Sequence, residues 1–84
     1  MDPRIKLYYG NFQPVLDMNQ VPVEQINAIQ VLDSNGGLVG QASKVNSLWS
    51  YVDRRTGNGY AVGDSRTPAH ISLGMVITEL SKML

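Results

Sequence analysis

Between Ile5 and Phe12, apolar and aromatic side chains alternate imperfectly with polar ones, Ile5, Leu7 and Tyr9 standing against Lys6 and Tyr8. Period-two alternation rich in β-branched and aromatic residues predicts a half-buried first strand. Pro14 and Pro22 then bracket PVLDMNQVP. Such a segment can neither donate fully to a sheet ladder nor run as a helix, so it reads as a loop or an irregular edge.

From Ile26 the chain runs INAIQVLDSNGGLVGQAS, with apolar Ile29 and Val31 set against polar Gln30, then Asp33 to Gly37, then Leu38 and Val39. Asn35-Gly36 supplies the positive φ angles of a tight turn, and the flanking branched residues supply the strands, which predicts a hairpin. The rival is a helix from Pro22 to Leu32, because Val23, Ile26, Ile29 and Leu32 recur every three residues with Pro22 at the first turn and Gly36 past the end. The hairpin is placed ahead of it. A second hairpin is predicted where Leu48, Trp49, Tyr51 and Val52 approach a polar turn, Arg54 to Asn58, and Tyr60 to Val62 leave it. Gly57 and Gly59 free that turn's backbone, and Trp49, Tyr51 and Tyr60 can pair across the strands.

Thr67-Pro68 marks a helix start, with the Thr hydroxyl as cap and Pro at the first helical position. Ala69, Leu73, Val76, Ile77, Leu80 and Leu84 follow at spacings of three and four, an apolar stripe, and Lys82 lies in the last turn where the helix dipole favours a cation. Gly74 interrupts this helix and predicts the close approach of another backbone, from the sheet or from a second helix. Ile71 and Met75 widen the stripe toward a second side. Helices apolar over more than half their circumference commonly cover a sheet on one side and meet another subunit on the other, so Ile71, Gly74 and Met75 form the expected homo-oligomer interface.

The predicted architecture is therefore α+β: a small antiparallel sheet of four to five short strands, including two hairpins, covered by one C-terminal amphipathic helix. The chain has 84 residues, 43% hydrophobic and 17% charged, and reads as a single small domain, 1–84. A chain of this size has a thin stability margin, and the lack of cysteine removes disulfides and thiolate metal sites as a remedy. Packing or a partner must supply what is missing.

Seven basic residues balance seven acidic ones, and no run of like charge exceeds Arg54-Arg55. A duplex nucleic acid partner is not expected, since the basic footprint that neutralises phosphates is absent. The opening stretch MDPRIKLYYG has no continuous apolar run of the signal-peptide or membrane-span kind, and the expectation is a soluble, cytoplasmic protein without a membrane partner.

Polar chemistry concentrates in Asp53 to His70, DRRTGNGYAVGDSRTPAH, which holds three of the seven basic residues, three of the eight glycines and the single histidine. One histidine cannot form a two-imidazole metal site, and its neighbours Asp64, Ser65 and Ser72 match no nucleophile motif, so His70 reads as a partly exposed helix-start residue. Asp53 and Asp64 flank the second hairpin and could approach each other as an acid-base pair, yet such residues ordinarily bond their own turns. Asp33-Ser34-Asn35-Gly36 begins like a calcium loop but lacks the later ligands. No metal site, catalytic residue or cofactor is expected.

Arginines remain the least explained residues. Guanidinium forks bind phosphate or carboxylate, and glycines and a helix start offer backbone donors. Gly57-Asn58-Gly59 is neither a P-loop nor a dinucleotide fingerprint. Arg54, Arg55, Thr56, Tyr60, Ser65, Arg66, Thr67 and His70 form the expected binding surface. The functional expectation is a non-enzymatic protein that binds a macromolecular partner stoichiometrically, as inhibitors and adaptors do. Alternatives are a sequestering binder of a phosphate-bearing small molecule at a subunit interface, and a structural subunit of a viral or shell-like assembly.

Overall fold

The computed structural model describes residues 2–84 and contains β1 (Ile5–Tyr9), β2 (Gln13–Pro14), β3 (Ile26–Leu32), β4 (Leu38–Val45), β5 (Leu48–Asp53), β6 (Gly59–Val62) and α1 (Ala69–Ser81), with one turn of 3-10 helix at Val23–Gln25. The six strands form one sheet in the order β2-β1-β3-β4-β5-β6, with every neighbouring pair antiparallel. The α+β class and the C-terminal helix match the sequence expectation, and the count of four to five strands becomes six. The added strand is β2. Gly10 and Phe12 take positive φ (57° and 58°) and turn the chain back, so that Tyr8 pairs with Pro14 and the Val15 N–H donates to the Leu7 carbonyl at 2.9 Å.

Within the stretch from Pro22 to Leu32, one 3-10 turn at Val23–Gln25 leads into strand from Ile26 onward, and the rival helix does not form. Ile5 pairs with Val31 and Leu7 with Ile29, which puts four branched side chains on one face and leaves Lys6, Gln30 and Gln41 on the other. The turn that follows differs from the expected pair of positive-φ residues, for only Gly36 is left-handed (φ 82°). Asp33 organises it instead, its carboxylate accepting from the N–H groups of Asn35 and Gly37, each at 2.8 Å.

Asn46 and Ser47 (φ 53° and 67°) make a two-residue turn between β4 and β5, a geometry whose twist suits a hairpin. The two expected hairpins are thereby fused into a continuous meander from β3 to β6. Its tip at Arg54–Asn58 closes on Gly57 (φ 78°), whose N–H donates to the Asp53 carbonyl at 2.8 Å.

Helix α1 lies across one face of the sheet. It buries Leu73, Val76 and Leu80 against Ile5, Leu7, Ile29, Val31, Ala42, Trp49 and Val62, and Ile77 packs partly against the same cluster. Two details of its start depart from expectation. Pro68 is the cap residue itself, its carbonyl accepting from the Ile71 and Ser72 N–H groups at 3.0 Å, and no side chain caps the helix. The Thr67 hydroxyl instead accepts from the Asp64 N–H at 3.2 Å, because Asp64 gathers this loop: its carboxylate takes the Arg66 and Thr67 N–H groups at 2.8 and 3.1 Å. Leu84, the last residue of the expected stripe, lies beyond the helix and is exposed.

Candidate interaction surface

Asp53 to His70 forms one continuous margin of the fold: hairpin tip, outermost strand β6, loop, helix start. Along it the expected binding residues separate. Arg55 is anchored at the tip, its Nη2 donating to the Met83 carbonyl at 2.7 Å and its Nε 3.7 Å from Asp53 Oδ1. Carbonyls at a helix C-terminal end lack intrahelical partners, and Arg55 satisfies one just past α1. Arg66 precedes the other end of the same helix, whose thirteen residues span about 20 Å. Within one chain Arg55 and Arg66 therefore do not converge, and a phosphate pocket built from them would need a second chain.

Thr56 Oγ1 accepts from the Asn58 N–H at 3.2 Å and serves the turn. Ser65 and Thr67 border a small depression of about 160 Å³ with Glu24, Lys44 and Ser72, away from Tyr60. His70 is exposed in the first helical turn. Arg54 and Arg66 are both exposed, and neither has an ion-pair partner among the described residues, unlike Arg4, Arg55 and Lys82.

The aspartates are fully employed. Asp2, Asp17, Asp33, Asp53 and Asp64 each accept a hydrogen bond from the N–H two residues ahead, at 2.8 to 2.9 Å. All five close turns, the ordinary role expected for Asp53 and Asp64. Among the described residues no group of three or more potential metal-ligating side chains occurs, and no helix is long and apolar enough to cross a membrane.

A groove of about 690 Å³ runs between β6 and α1, lined by Tyr51, Ala61, Val62, Gly63, Ile71, Gly74, Met75, Thr78 and Glu79. It unites the three residues expected at an oligomer interface with the strand edge. Ile71 (47% exposed) and Met75 (41%) leave an apolar helix face uncovered, as the widened stripe suggested. Gly74 departs from expectation, since a Cβ added there would meet nothing within 4 Å and no other backbone of the chain approaches it. Tyr60, 50% exposed, stands beside the groove with its ring 5.2 Å from that of Tyr51.

Thr78 and Glu79 are not singled out as site residues by the sequence, because their place beside Tyr51 arises only from docking the helix on β5. The Tyr51 hydroxyl donates to Glu79 Oε2 at 3.5 Å, and burial, then the Glu79 charge, pushes the phenol above its usual range. A folded-state pKa above the unfolded value adds stability that is complete below pH ~10 and fades as pH rises through the folded value. Tyr51→Phe should accordingly shift stability by less than about 0.5 kcal/mol at pH 7, the bond being at its length limit. It should also flatten the alkaline fall in melting temperature above pH ~10, as thermal scans across pH would read.

The sheet face away from α1 carries Ala28, Gln30, Gln41, Ser43, Ser50 and Val52, beside a Tyr8–Phe12 stack with centroids 4.0 Å apart. Compared with known protein families, curated proteins and solved structures, the chain finds no match in any of the three.

Proposed function

We propose that this chain is a non-enzymatic binding protein that acts stoichiometrically on a macromolecular partner, in the manner of an inhibitor or adaptor, through the margin from Arg54 to His70. The observation that carries the reading is the coincidence, on that margin, of an open strand edge, an adjoining groove with an apolar wall and two arginines without ion partners among the described residues. Exposed apolar surface beside a polar rim is the usual composition of a recognition site. Asp33, Asp53 and Asp64 are held in turns, which favours binding over catalysis. Arg54 and Arg66 supply the polar rim. Arg55 and Thr56 hold the tip, and Asp64 and Thr67 shape the loop.

Photocrosslinking tests this. A benzophenone amino acid replacing Tyr60, in extract of the native host, should give one discrete heterocomplex of fixed stoichiometry by mass, weakened by Arg54→Glu with Arg66→Glu. The same probe replacing Ser43, on the opposite face, should not give it. Adducts only with further copies of the chain would overturn the reading in favour of an assembly subunit. A co-purifying phosphorylated ligand in native mass spectra, without protein adducts, would overturn it in favour of a sequestering binder.

A further inference from the structure

We infer that the partner is bound by strand addition: an extended protein segment, with acidic residues flanking an alternating apolar core, pairs with the outer edge of β6 as a seventh strand. The inference rests on the proposed reading of this margin as a binding surface and specifies its mode and its ligand.

The backbone supplies the first argument. The sheet has two edges, and β2 is blunted: two residues long, with Pro14 in the pair. β6 reads Gly59-Tyr60-Ala61-Val62, followed by Gly63, with no charge, proline or bulge in the strand. Natural edges ordinarily carry such guards against pairing with another chain. The Asp53 N–H donates to the Asn58 carbonyl at 2.9 Å, which sets the phase of the hairpin ladder. Alternation then turns the N–H and C=O of Tyr60 and Val62 toward β5, and those of Gly59 and Ala61 outward.

The groove supplies the second. Every other side chain of an added strand would point to the helix side, where Ile71 and Met75 form an apolar wall that Thr78 and Glu79 border. Glycine is among the most costly residues in a helix interior, and nothing in the chain packs on Gly74 to require it. At this point on the wall it leaves room for an incoming side chain.

Charge selects the occupant. Arg66 follows β6, and Arg54 lies across the hairpin tip at the end of β5, its N–H donating to the Val39 carbonyl of β4 at 2.9 Å; both are exposed and without ion partners among the described residues. A second copy pairing antiparallel about a two-fold axis would bring Arg54 of one chain toward Arg66 of the other, a like-charge contact. A segment with Asp or Glu on either side of a core about 13 Å long, the length of four strand residues, meets both arginines favourably.

The test is selection of a random peptide display library on the immobilised full chain, followed by affinity measurement on Ala61→Pro and on the double variant Arg54→Glu, Arg66→Glu. Proline at 61 deletes an outward N–H and leaves the β5 ladder in place, as edge strands allow. An unchanged circular dichroism spectrum and melting point will confirm that the fold is kept. Enriched peptides should alternate apolar residues between acidic flanks. They should bind Ala61→Pro about tenfold or more weakly, the loss expected from an unmade, desolvated edge bond. The charge-reversed protein should prefer the lysine-flanked version of the same peptide. Recovery of no peptide, peptides that bind folded Ala61→Pro as well as the parent, or enrichment without acidic flanks would overturn the inference. Light scattering that shows a dimer dissociated by Ala61→Pro would overturn it too, assigning the edge to a second copy. If Tyr60 crosslinking to a protein survives in Ala61→Pro, strand addition fails while the binding surface stands. Loss of crosslinking in the parent itself would sink the surface reading.

Discussion

Trp49→Ala should cost about 3–5 kcal/mol of folding stability, the usual consequence of deleting a buried indole. Trp49 is 1% exposed and the bulkiest fully buried side chain, standing between Lys44 on β4 and Val62 on β6 with α1 above. A chain of 84 residues has a total stability of roughly 4–13 kcal/mol, so this one change consumes much of the margin. The cavity cannot close cheaply, because the β4 and β6 backbones beside it are fixed by their ladders and the core residues above by the helix. Thermal unfolding should move down by on the order of 20 °C, the conversion for a domain of this length. Trp49→Phe should recover part of the loss by refilling part of the volume. A denaturant midpoint unchanged by Trp49→Ala would mean that the indole is not the central packing element.

The helix was legible because its burial is periodic: Leu73, Val76 and Leu80 face the sheet while Thr78, Ser81 and Lys82 face water. The β3–β4 hairpin was legible from its turn residues, although the physical agent was the Asp33 carboxylate more than Asn35. Between Pro22 and Leu32 two periods competed. Pairing of Ile29 and Val31 with Leu7 and Ile5 decided for the strand, a choice that local sequence does not contain. The β2 strand and the Asn46-Ser47 turn escaped detection because Phe12 and Ser47 adopt positive φ, which their side chains do not advertise.

The candidate site followed the same division. Asp53 to His70 drew notice for its arginines, glycines and histidine, and the fold does make it a margin. Yet Arg55 is occupied by the Met83 carbonyl, and the groove draws on Ile71 to Glu79, outside the segment. The signal that could have found the edge was a negative one: Gly59 to Gly63 contains no charge and no proline, in the last strand among the described residues.

Val76→Asp and Met75→Asp, one residue and about 100° apart on α1, should have opposite fates. Val76 is 0% exposed, in the apolar cluster that holds Trp49 and Leu73. An ionised carboxylate there loses its hydration and gains no partner, a penalty of several kcal/mol that adds to the lost burial of the valine. The sum, more than about 4 kcal/mol, reaches the lower end of the stability expected for this length. The helix should detach, and the near-ultraviolet circular dichroism of Trp49 should disappear at neutral pH. It should return in part on acidification, since protonation removes the charge penalty. Met75, 41% exposed on the groove wall, should accept Asp within about 0.5 kcal/mol and keep the Trp49 signal. Its effect should fall on binding instead, where a carboxylate on the groove wall meets the apolar core of the added segment. A loss of stability in Met75→Asp that grows with dilution would show that a second copy covers this face, and would return Ile71, Gly74 and Met75 to an oligomer interface.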